Sequence, residues 1–405
     1  AEDEISPKGD VLSCLEDGFR PEPKTDAKFR CEFKLFVCLS GCFILRWVQS
    51  TGGMMVPMKI ESKVLKAELV PYSLNFTHGK TYQSAVTAMK SVDHRLLHLT
   101  FDNGLIAMGE VARYPLFNTN ETEDLEDAAL AELNLASSDQ IPEIAEDWGH
   151  RSPALRGMAF AVDHAWYDLN AQLQGLPISA LLGGPKQGEV PEVLSLSAAS
   201  QEDLINQIST EGRSRPVIQI KLGVNDLADD IETVERLLSI MRDDQLLLAD
   251  FNGSLSKDTA LAVLPRLTTP KLLWEEPCQT LDENITIARA LHGHVMLDTC
   301  LTDLNAYKKA IAAGVQAVVI KPALMGGLSV ARTARDLCVS AGLRLRIDGP
   351  WSGQIAACAA LSLAIAVPKD QIIGSINLTQ ALEADSDQIL HPRPGWIGIN
   401  QCRFN

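Results

Sequence analysis

Ionisable side chains end six short apolar runs in the second half of the chain, and these residues are Lys221, Asp250, Glu275, Asp298, Lys321 and Asp348. Apolar runs of this kind are typical of strands that are buried on both faces, as in a parallel sheet. The packing of such a strand does not require a charged residue at its end. The pattern therefore indicates a functional site built from the ends of successive strands.

Three of these residues, Asp250, Glu275 and Asp298, are carboxylates on consecutive predicted strands. Hard oxygen ligands without histidine or cysteine suit Mg²⁺, with water or substrate oxygens completing the octahedron. A single acid of this kind is as well explained by a helix N-cap or a solvated surface position. Three acids at equivalent strand ends favour a metal site, and we expect one Mg²⁺ in it.

Lys221 and Lys321 follow the second and sixth predicted strands, so they would face the cavity from opposite sides. A lysine after a buried strand is costly to bury unless it is paired or functional. Desolvation or a nearby divalent cation lowers the pKa of the amine, which can then act as a base near neutral pH. Because a metal stabilises the enediolate that forms when a carboxylate substrate loses its α-proton, one lysine would take that proton. The other would protonate the opposite face or a leaving group.

The spacing of these residues predicts the elements that must position them. Successive residues are separated by 29, 25, 23, 23 and 27 positions, which fits one strand, one helix and two loops in each interval. Repeated βα units with right-handed crossovers form an open doubly wound sheet or a closed barrel. Only a barrel brings all the strand ends to one rim. We therefore predict an α/β fold with a modified TIM barrel, (β/α)7β, at residues 187–376.

The rest of the chain differs from the barrel in its pattern. Residues 58–186 combine alternating strand-like runs, a hairpin signal at Asp102–Gly104 and helical periodicity, which predicts a separate α+β domain. We interpret residues 1–57 as an N-terminal extension outside this fold. Its apolar run, residues 35–45, is too short for a bilayer, which needs about 20 residues. Residues 377–405 end in a strand-like run that we expect to fold back on the α+β domain.

Composition and charge exclude several classes of partner. The formal net charge of −16 argues against nucleic acid and against an anionic membrane surface. The nine cysteines form neither a CxxC pair nor a Cys/His cluster, so zinc is not expected. Their unpatterned distribution fits reduced thiols in a cytoplasm. The partner that we expect from the lysines and the predicted metal site is a small-molecule carboxylate substrate.

As a set, the motifs of residues 58–405 resemble the enolase superfamily, in particular its muconate-lactonizing-enzyme subgroup. The matching motifs are Ile220–Gly223, Asp250–Asn252, Glu275–Pro277, Asp298, Ile320–Pro322 and Gly326–Gly327. The resemblance implies that the α+β domain caps the barrel mouth and that the chain assembles as a homo-oligomer. It also implies Mg²⁺ ligation by Asp250, Glu275 and Asp298, and acid/base roles for Lys221 and Lys321.

One departure from the family pattern concerns the second strand. The family usually has Lys-x-Lys there, whereas this chain has Gln219, Ile220 and Lys221. The missing lysine removes a positive neighbour that would lower the pKa of Lys221. We expect Gln219 to donate a hydrogen bond to the substrate carboxylate instead. A mandelate-racemase site would place a histidine where this chain has Asp348–Trp351, so that subgroup is disfavoured.

Asp348 is the main indication of the substrate, because an anion in this mouth can pair with a substrate ammonium. The alternative explanations of Asp348 are a helix N-cap or a charge partner within the protein. The combination resembles cis-3-hydroxyproline dehydratases and hydroxyproline betaine epimerases. A betaine needs aromatic walls, and residues 375–378 contain no aromatic side chain, which favours a secondary amine. Trp351 would supply one wall. The polar and aromatic loop from Tyr72 to Tyr82 would cover the ligand.

The leading hypothesis is Mg²⁺-dependent dehydration of cis-3-hydroxy-L-proline or a similar hydroxyproline. The first alternative is a racemase or epimerase of a proline betaine or another N-substituted amino acid, since the same two lysines serve both reactions. Further alternatives are a lactonizing cycloisomerase, a Schiff-base aldolase that uses Lys321, and a non-catalytic ligand binder.

Overall fold

The structure, a computed structural model, describes residues 62–76, 82–83, 88–113, 121–196, 200–376 and 389–399. Residues 54–405 form one compact unit. The predicted extension at residues 1–57 lies outside the described residues, and so does most of the loop between Tyr72 and Tyr82. Among the described residues, no helix is long and apolar enough to cross a membrane.

An antiparallel sheet covered by helices forms the first part of the described chain. Its strands are β1 (Val64–Asn75), β4 (Ser91–Phe101) and β5 (Ile106–Val111), which pair in the order β1-β4-β5. Two short strands between β1 and β4, β2 (Tyr82–Gln83) and β3 (Ala88–Met89), form a separate two-stranded sheet. The predicted hairpin turn joins β4 to β5. The helices are α1 (Thr122–Leu133), α2 (Ile141–Arg151), α3 (Arg156–Gln174) and α4 (Ile178–Leu181). Because α3 lies on the sheet, the two layers enclose a core of their own.

Eight parallel strands form the predicted barrel. After β6 (Gly188–Pro191), they are β7 (Val193–Leu196), β8 (Val217–Lys221), β9 (Leu246–Asp250), β10 (Leu272–Glu275), β11 (Val295–Leu297), β12 (Ala317–Ile320), β13 (Arg344–Ile347) and β14 (Ile372–Gly374). They pair in sequence order from β7 to β14. A parallel bridge between Glu192 and Ser375, with a 3.0 Å hydrogen bond from Val193 N to Ser375 O, connects the last strand to the first. The (β/α)7β prediction is confirmed.

Helices alternate with the barrel strands and pack outside them. They are α5 (Gln201–Thr210), α6 (Leu227–Ile240), α7 (Lys257–Val263), α8 (Leu281–Ala290), α9 (Leu304–Ala312), the short α10 (Pro322–Met325), α11 (Leu328–Ser340) and α12 (Gln354–Ala364). The largest core of the described chain lies between these helices and the strands.

The C-terminal strands pair beside the barrel. These strands are β15 (Ile389–Arg393) and β16 (Trp396–Ile399), and β16 pairs with β6 at residues 188–191. The sequence analysis expected this tail to return to the α+β domain, whereas its described strand pairs with the segment that leads into the first barrel strand. The domain boundaries themselves stay predictions.

Strand alternation explains why the ionisable strand ends meet inside the barrel. Side chains two residues apart on a strand point to the same face. The inner core of the barrel includes Val217, Leu248, Leu273, Met296 and Val319. The ionisable residues come an even number of positions after these core residues. Lys221 lies four positions after Val217, and the others lie two positions after theirs, namely Asp250, Glu275, Asp298 and Lys321. These five side chains therefore continue the inner face to the carboxyl end of the barrel.

Candidate active site and metal centre

Three buried carboxylates converge at the carboxyl end of the barrel. Asp250 and Glu275 are the last residues of β9 and β10, and Asp298 directly follows β11. The three residues are 0%, 0% and 3% exposed. One ligand oxygen from each lies within 4.8 Å of the other two. The structure therefore brings together the three residues that the sequence predicts as metal ligands.

This cluster fits Mg²⁺ in its chemistry. Asp298 Oδ1 is buried and has no hydrogen-bond partner among the described residues. A buried carboxylate oxygen without a partner is costly unless a cation neutralises it. Three carboxylates without histidine or cysteine form the hard donor set that Mg²⁺ prefers. Asp250, Glu275 and Asp298 would hold the ion, and their role as ligands stays a prediction.

Each predicted catalytic lysine pairs with one of these carboxylates. Lys221 Nζ donates to Asp250 Oδ2 at 2.5 Å, and Lys321 Nζ donates to Asp298 Oδ2 at 2.6 Å. Lys221 ends β8, whereas Lys321 follows β12, four strands farther around a barrel of eight. The two amines therefore approach the carboxylates from opposite sides, which is the arrangement that two-sided proton transfer needs.

Gln219 lies beneath this mouth and is only 1% exposed. Its Nε2 donates to Asp250 Oδ2 at 3.0 Å and to Glu275 Oε2 at 2.9 Å. Its Oε1 accepts a 2.8 Å hydrogen bond from the Ser195 hydroxyl. The sequence analysis expected Gln219 to donate to the substrate carboxylate, but in the structure both amide protons are directed to acids of the protein.

Arg346 links Glu275 to Asp348, and the sequence analysis did not identify it. Its guanidinium donates to both oxygens of Glu275 at 2.6 Å and to Asp348 Oδ2 at 2.9 Å. Burial by itself would lower the pKa of Arg346, but the charges of Asp348 and Glu275 raise it well above its ordinary value. Burial raises the pKa of the Asp348 carboxyl, against the opposing charges of Arg346 and Lys321. Asp348 therefore already has a cationic partner within the protein.

Glu276 faces away from Glu275 and holds the segment that carries Asp298. Its carboxylate accepts from Asp298 N at 2.6 Å, from Cys300 N at 2.7 Å and from the Thr299 hydroxyl at 3.1 Å. Its backbone has a φ of 41°, which is uncommon for a residue with a side chain. Burial, together with the charge of Asp298, raises the pKa of Glu276 to about 7.

Two of the remaining predicted substrate contacts, Tyr72 and Trp351, lie where the α+β sheet meets the barrel. The Tyr72 hydroxyl donates to Glu110, and burial together with the charge of Glu110 raises the pKa of Tyr72. The Trp351 ring packs edge-on against Phe76, with ring centroids 5.2 Å apart. The side chain of Tyr82 lies outside the described part of the chain. Contacts of all three with a substrate stay predictions.

Alternation along β13 is the signal by which the sequence analysis could have found Arg346. Arg344 and Arg346 alternate with Leu345 and Ile347 in a run that is otherwise buried. One face of the strand is therefore cationic, and that face continues to Asp348. Ser195 and Glu276 carry no comparable signal, because their partners come from neighbouring strands and loops.

Comparison with known proteins gives a family match and relatives. Residues 207–396 match the family described as "Enolase C-terminal domain-like". The cis-3-hydroxy-L-proline dehydratase of Roseibium aggregatum is 30% identical over a region that covers 54% of this chain and 60% of that protein. A chloromuconate cycloisomerase of Pseudomonas putida is 28% identical over 51% of this chain and 58% of that protein. The chain thus spans about three fifths of the length of these curated relatives.

Solved structures share the fold. A member of the enolase superfamily from Roseovarius nubinhibens ISM, complexed with magnesium, superposes with a TM-score of 0.74 at 24% identity. The superposition covers 85% of this chain and 96% of that one. At this level of identity the likeness supports the barrel with its additional α+β domain and goes no further.

Proposed function

We propose that this chain is a member of the enolase superfamily and a Mg²⁺-dependent enzyme that removes the α-proton of a small amino-acid-like carboxylate. Its proposed reaction is the dehydration of cis-3-hydroxy-L-proline or a similar hydroxyproline. The observation that carries the proposal is the site itself, in which three buried carboxylates lie between two lysines on opposite sides of the barrel.

Proton transfer is the task that the two lysines are placed to perform. Mg²⁺ bound by Asp250, Glu275 and Asp298 would supply positive charge that stabilises the enediolate. One lysine, with its amine neutral, takes the α-proton from one face of the substrate. The other lysine, in its ammonium form, donates a proton to the β-hydroxyl, which leaves as water. Return of a proton to Cα from the second lysine would instead give an epimer.

The proposed substrate class rests on Asp348 and on the dehydratase relative. The Oδ2 atom of Asp348 pairs with Arg346, whereas its Oδ1 accepts only a long 3.3 Å hydrogen bond from Ile376 N in the described contacts. A carboxylate oxygen has two acceptor positions, so Asp348 retains capacity for a substrate N–H. The 30% identity to a cis-3-hydroxy-L-proline dehydratase supports the same class.

An NMR assay in D₂O with Mg²⁺ tests the reaction. We would offer cis-3-hydroxyproline, 4-hydroxyproline and their betaines, and follow the signal of the α-proton. Loss of that signal with an unsaturated or ketimine product supports the dehydratase. Deuterium at Cα with inversion identifies an epimerase. No exchange with any of these compounds, while Mg²⁺ still binds, overturns the proline-like substrate.

Lysine variants test the two proton-transfer roles. We expect Lys221→Met and Lys321→Met each to lower turnover by about 10²–10⁴-fold, because each removes a general acid or base. Lys271→Met is the matched control, since Lys271 is also half-buried but precedes β10 and donates to Met241 O at 3.2 Å. Turnover that survives both substitutions would contradict the assignment.

Two other functions are outcomes of the same experiments. Borohydride trapping of a substrate on Lys321 would identify a Schiff-base aldolase. Binding of a ligand without exchange of its α-proton would identify a non-catalytic binder. The cytoplasmic location and the homo-oligomer expected from the sequence stay predictions.

A further inference from the structure

We infer that Gln219 is a positioning residue for the metal ligands and not a substrate contact, an inference that rests on the proposed Mg²⁺ site. The Gln219 side chain lies between two strands and donates to Asp250 on one side and Glu275 on the other. Its amide nitrogen is directed to these two acids and its amide oxygen to Ser195, so no polar atom of the side chain faces a substrate in the barrel mouth. It is therefore placed to act on the substrate only through these two carboxylates.

The chemistry of the amide fixes its orientation. Ionised carboxylates only accept hydrogen bonds, so the nitrogen end of Gln219, with two protons, must face Asp250 and Glu275. The oxygen end then faces Ser195, whose hydroxyl donates to it at 2.8 Å. Each polar atom of the amide thus has a partner. The consequence is that both carboxylates are held in one orientation before a metal arrives.

Gln219 belongs to a continuous hydrogen-bonded network. The network runs from Lys221 through Asp250, Gln219, Glu275 and Arg346 to Asp348. It contains three acidic and two basic side chains, so its formal charges sum to −1. A lysine at position 219, as in the usual family pattern, would cancel that charge. Glutamine supplies two N–H donors without a positive charge, which leaves the site more attractive to a divalent cation.

Mg²⁺ affinity, measured without substrate, tests this role. Titration calorimetry with MgCl₂ alone would compare the wild type with Gln219→Leu, which has a similar size but no donors. Residues that orient metal ligands typically contribute about 10–100-fold to metal affinity, and we expect a loss in that range. We expect Ser195→Ala to give a smaller loss, because it removes only the group that orients the amide.

Gln245 provides a matched control. It is 4% exposed, and its Nε2 also donates twice, to Gly212 O at 2.9 Å and to Arg215 O at 2.7 Å, just before β9 begins. Gln245→Leu should therefore reproduce the loss of buried hydrogen bonds with unchanged Mg²⁺ affinity. An equal loss of affinity in this control would show a general effect of destabilisation and would overturn the inference.

The outcomes separate this inference from the proposed function. If the wild type does not bind Mg²⁺, the proposed metal site itself is overturned. If Gln219→Leu and Ser195→Ala both bind Mg²⁺ as tightly as the wild type, only the role of Gln219 is overturned. A raised KM for substrate with unchanged Mg²⁺ affinity would make Gln219 a substrate contact. If Gln219→Leu does not fold, Ser195→Ala alone decides between these results.

Discussion

Glu276 shows at the scale of one residue how neighbouring acids take different tasks. Glu275 points into the barrel towards the predicted metal, whereas Glu276 turns outward and accepts hydrogen bonds from Asp298 N and Cys300 N. A carboxylate suits this place because it offers acceptors in every direction and no donor. The two residues therefore support the same site, one through its side chain and the other by fixing a loop.

We predict that Glu276→Gln weakens both the fold and the Mg²⁺ site. The amide nitrogen would face an N–H or hydroxyl donor, leaving a buried group unsatisfied at a cost of about 1–3 kcal/mol in the free energy of unfolding. Urea unfolding and Mg²⁺ titration measure the two effects. Glu283→Gln is the control, because Glu283 caps the outer helix α8 through Thr280 and does not contact the acids. Unchanged stability in Glu276→Gln would contradict this role.

The site residues that the sequence reveals are those whose chemistry follows directly from strand position. Asp250 and Glu275 end apolar strands, so their convergence follows once a barrel is assumed. The partners of Gln219 could not be predicted, because its amide reaches across two strands whose register is set only by the folded barrel. The substrate role expected for Gln219 from sequence stays a prediction, and the proposed Mg²⁺ titration distinguishes it from the positioning role inferred from these contacts.

At the scale of elements, two barrel helices begin at a glycine, which has no side chain to cap their first N–H groups. The N-cap residues of α11 and α12 are Gly327 and Gly353. Asp163 from α3 accepts from Ser329 N at 2.7 Å, and Glu110 from β5 accepts from Gly353 N at 2.6 Å. The α+β segment thus supplies the anions that helix N-termini attract.

The two glycines are needed because polar side chains of the α+β segment occupy the space of a side chain. A Cβ at Gly327 would lie 2.8 Å from Asp163 Oδ2, and one at Gly353 would lie 2.8 Å from the Tyr72 hydroxyl. These helices follow Lys321 and Asp348, so the contacts also fix the loops beside the site. The sequence could not predict them, since a glycine N-cap gives no signal for a partner more than a hundred residues away.

A double-mutant cycle tests this capping across the chain. Serine is a favourable N-cap, yet we expect Gly327→Ser to lower the free energy of unfolding by about 1–3 kcal/mol, because its Cβ overlaps Asp163. In an Asp163→Ala background the 2.8 Å contact with Oδ2 is removed, only the 3.3 Å contact with Cβ is left, and the serine supplies the missing acceptor. In that background we expect Gly327→Ser to raise the free energy of unfolding by up to about 1 kcal/mol. Urea unfolding measures both effects. If Gly327→Ser changed the free energy of unfolding in the same direction in both backgrounds, the capping mechanism would be contradicted.

For the whole molecule, the regular spacing of strand ends was sufficient to predict the barrel. Intervals of 23–29 residues leave room for one helix per strand, and the structure has that order from β7 to β14. The closure near Ser375 and the pairing of β16 with β6 depend on contacts between distant parts of the chain. Local sequence patterns do not contain that information, which explains why the expected position of the tail differs from the observed one.

The described residues begin at Ser62 and contain hydrophobic cores that they build among themselves, so we predict that residues 58–405 fold without the preceding segment. A protein that starts at Met58 should unfold at the same urea midpoint as the full chain, because it retains every residue of the described hydrophobic cores. Its Mg²⁺ affinity should also be unchanged, since all three predicted ligands and Gln219 are retained. A lower midpoint or weaker Mg²⁺ binding in the shortened protein would show that residues 1–57 contribute to the fold or to the site.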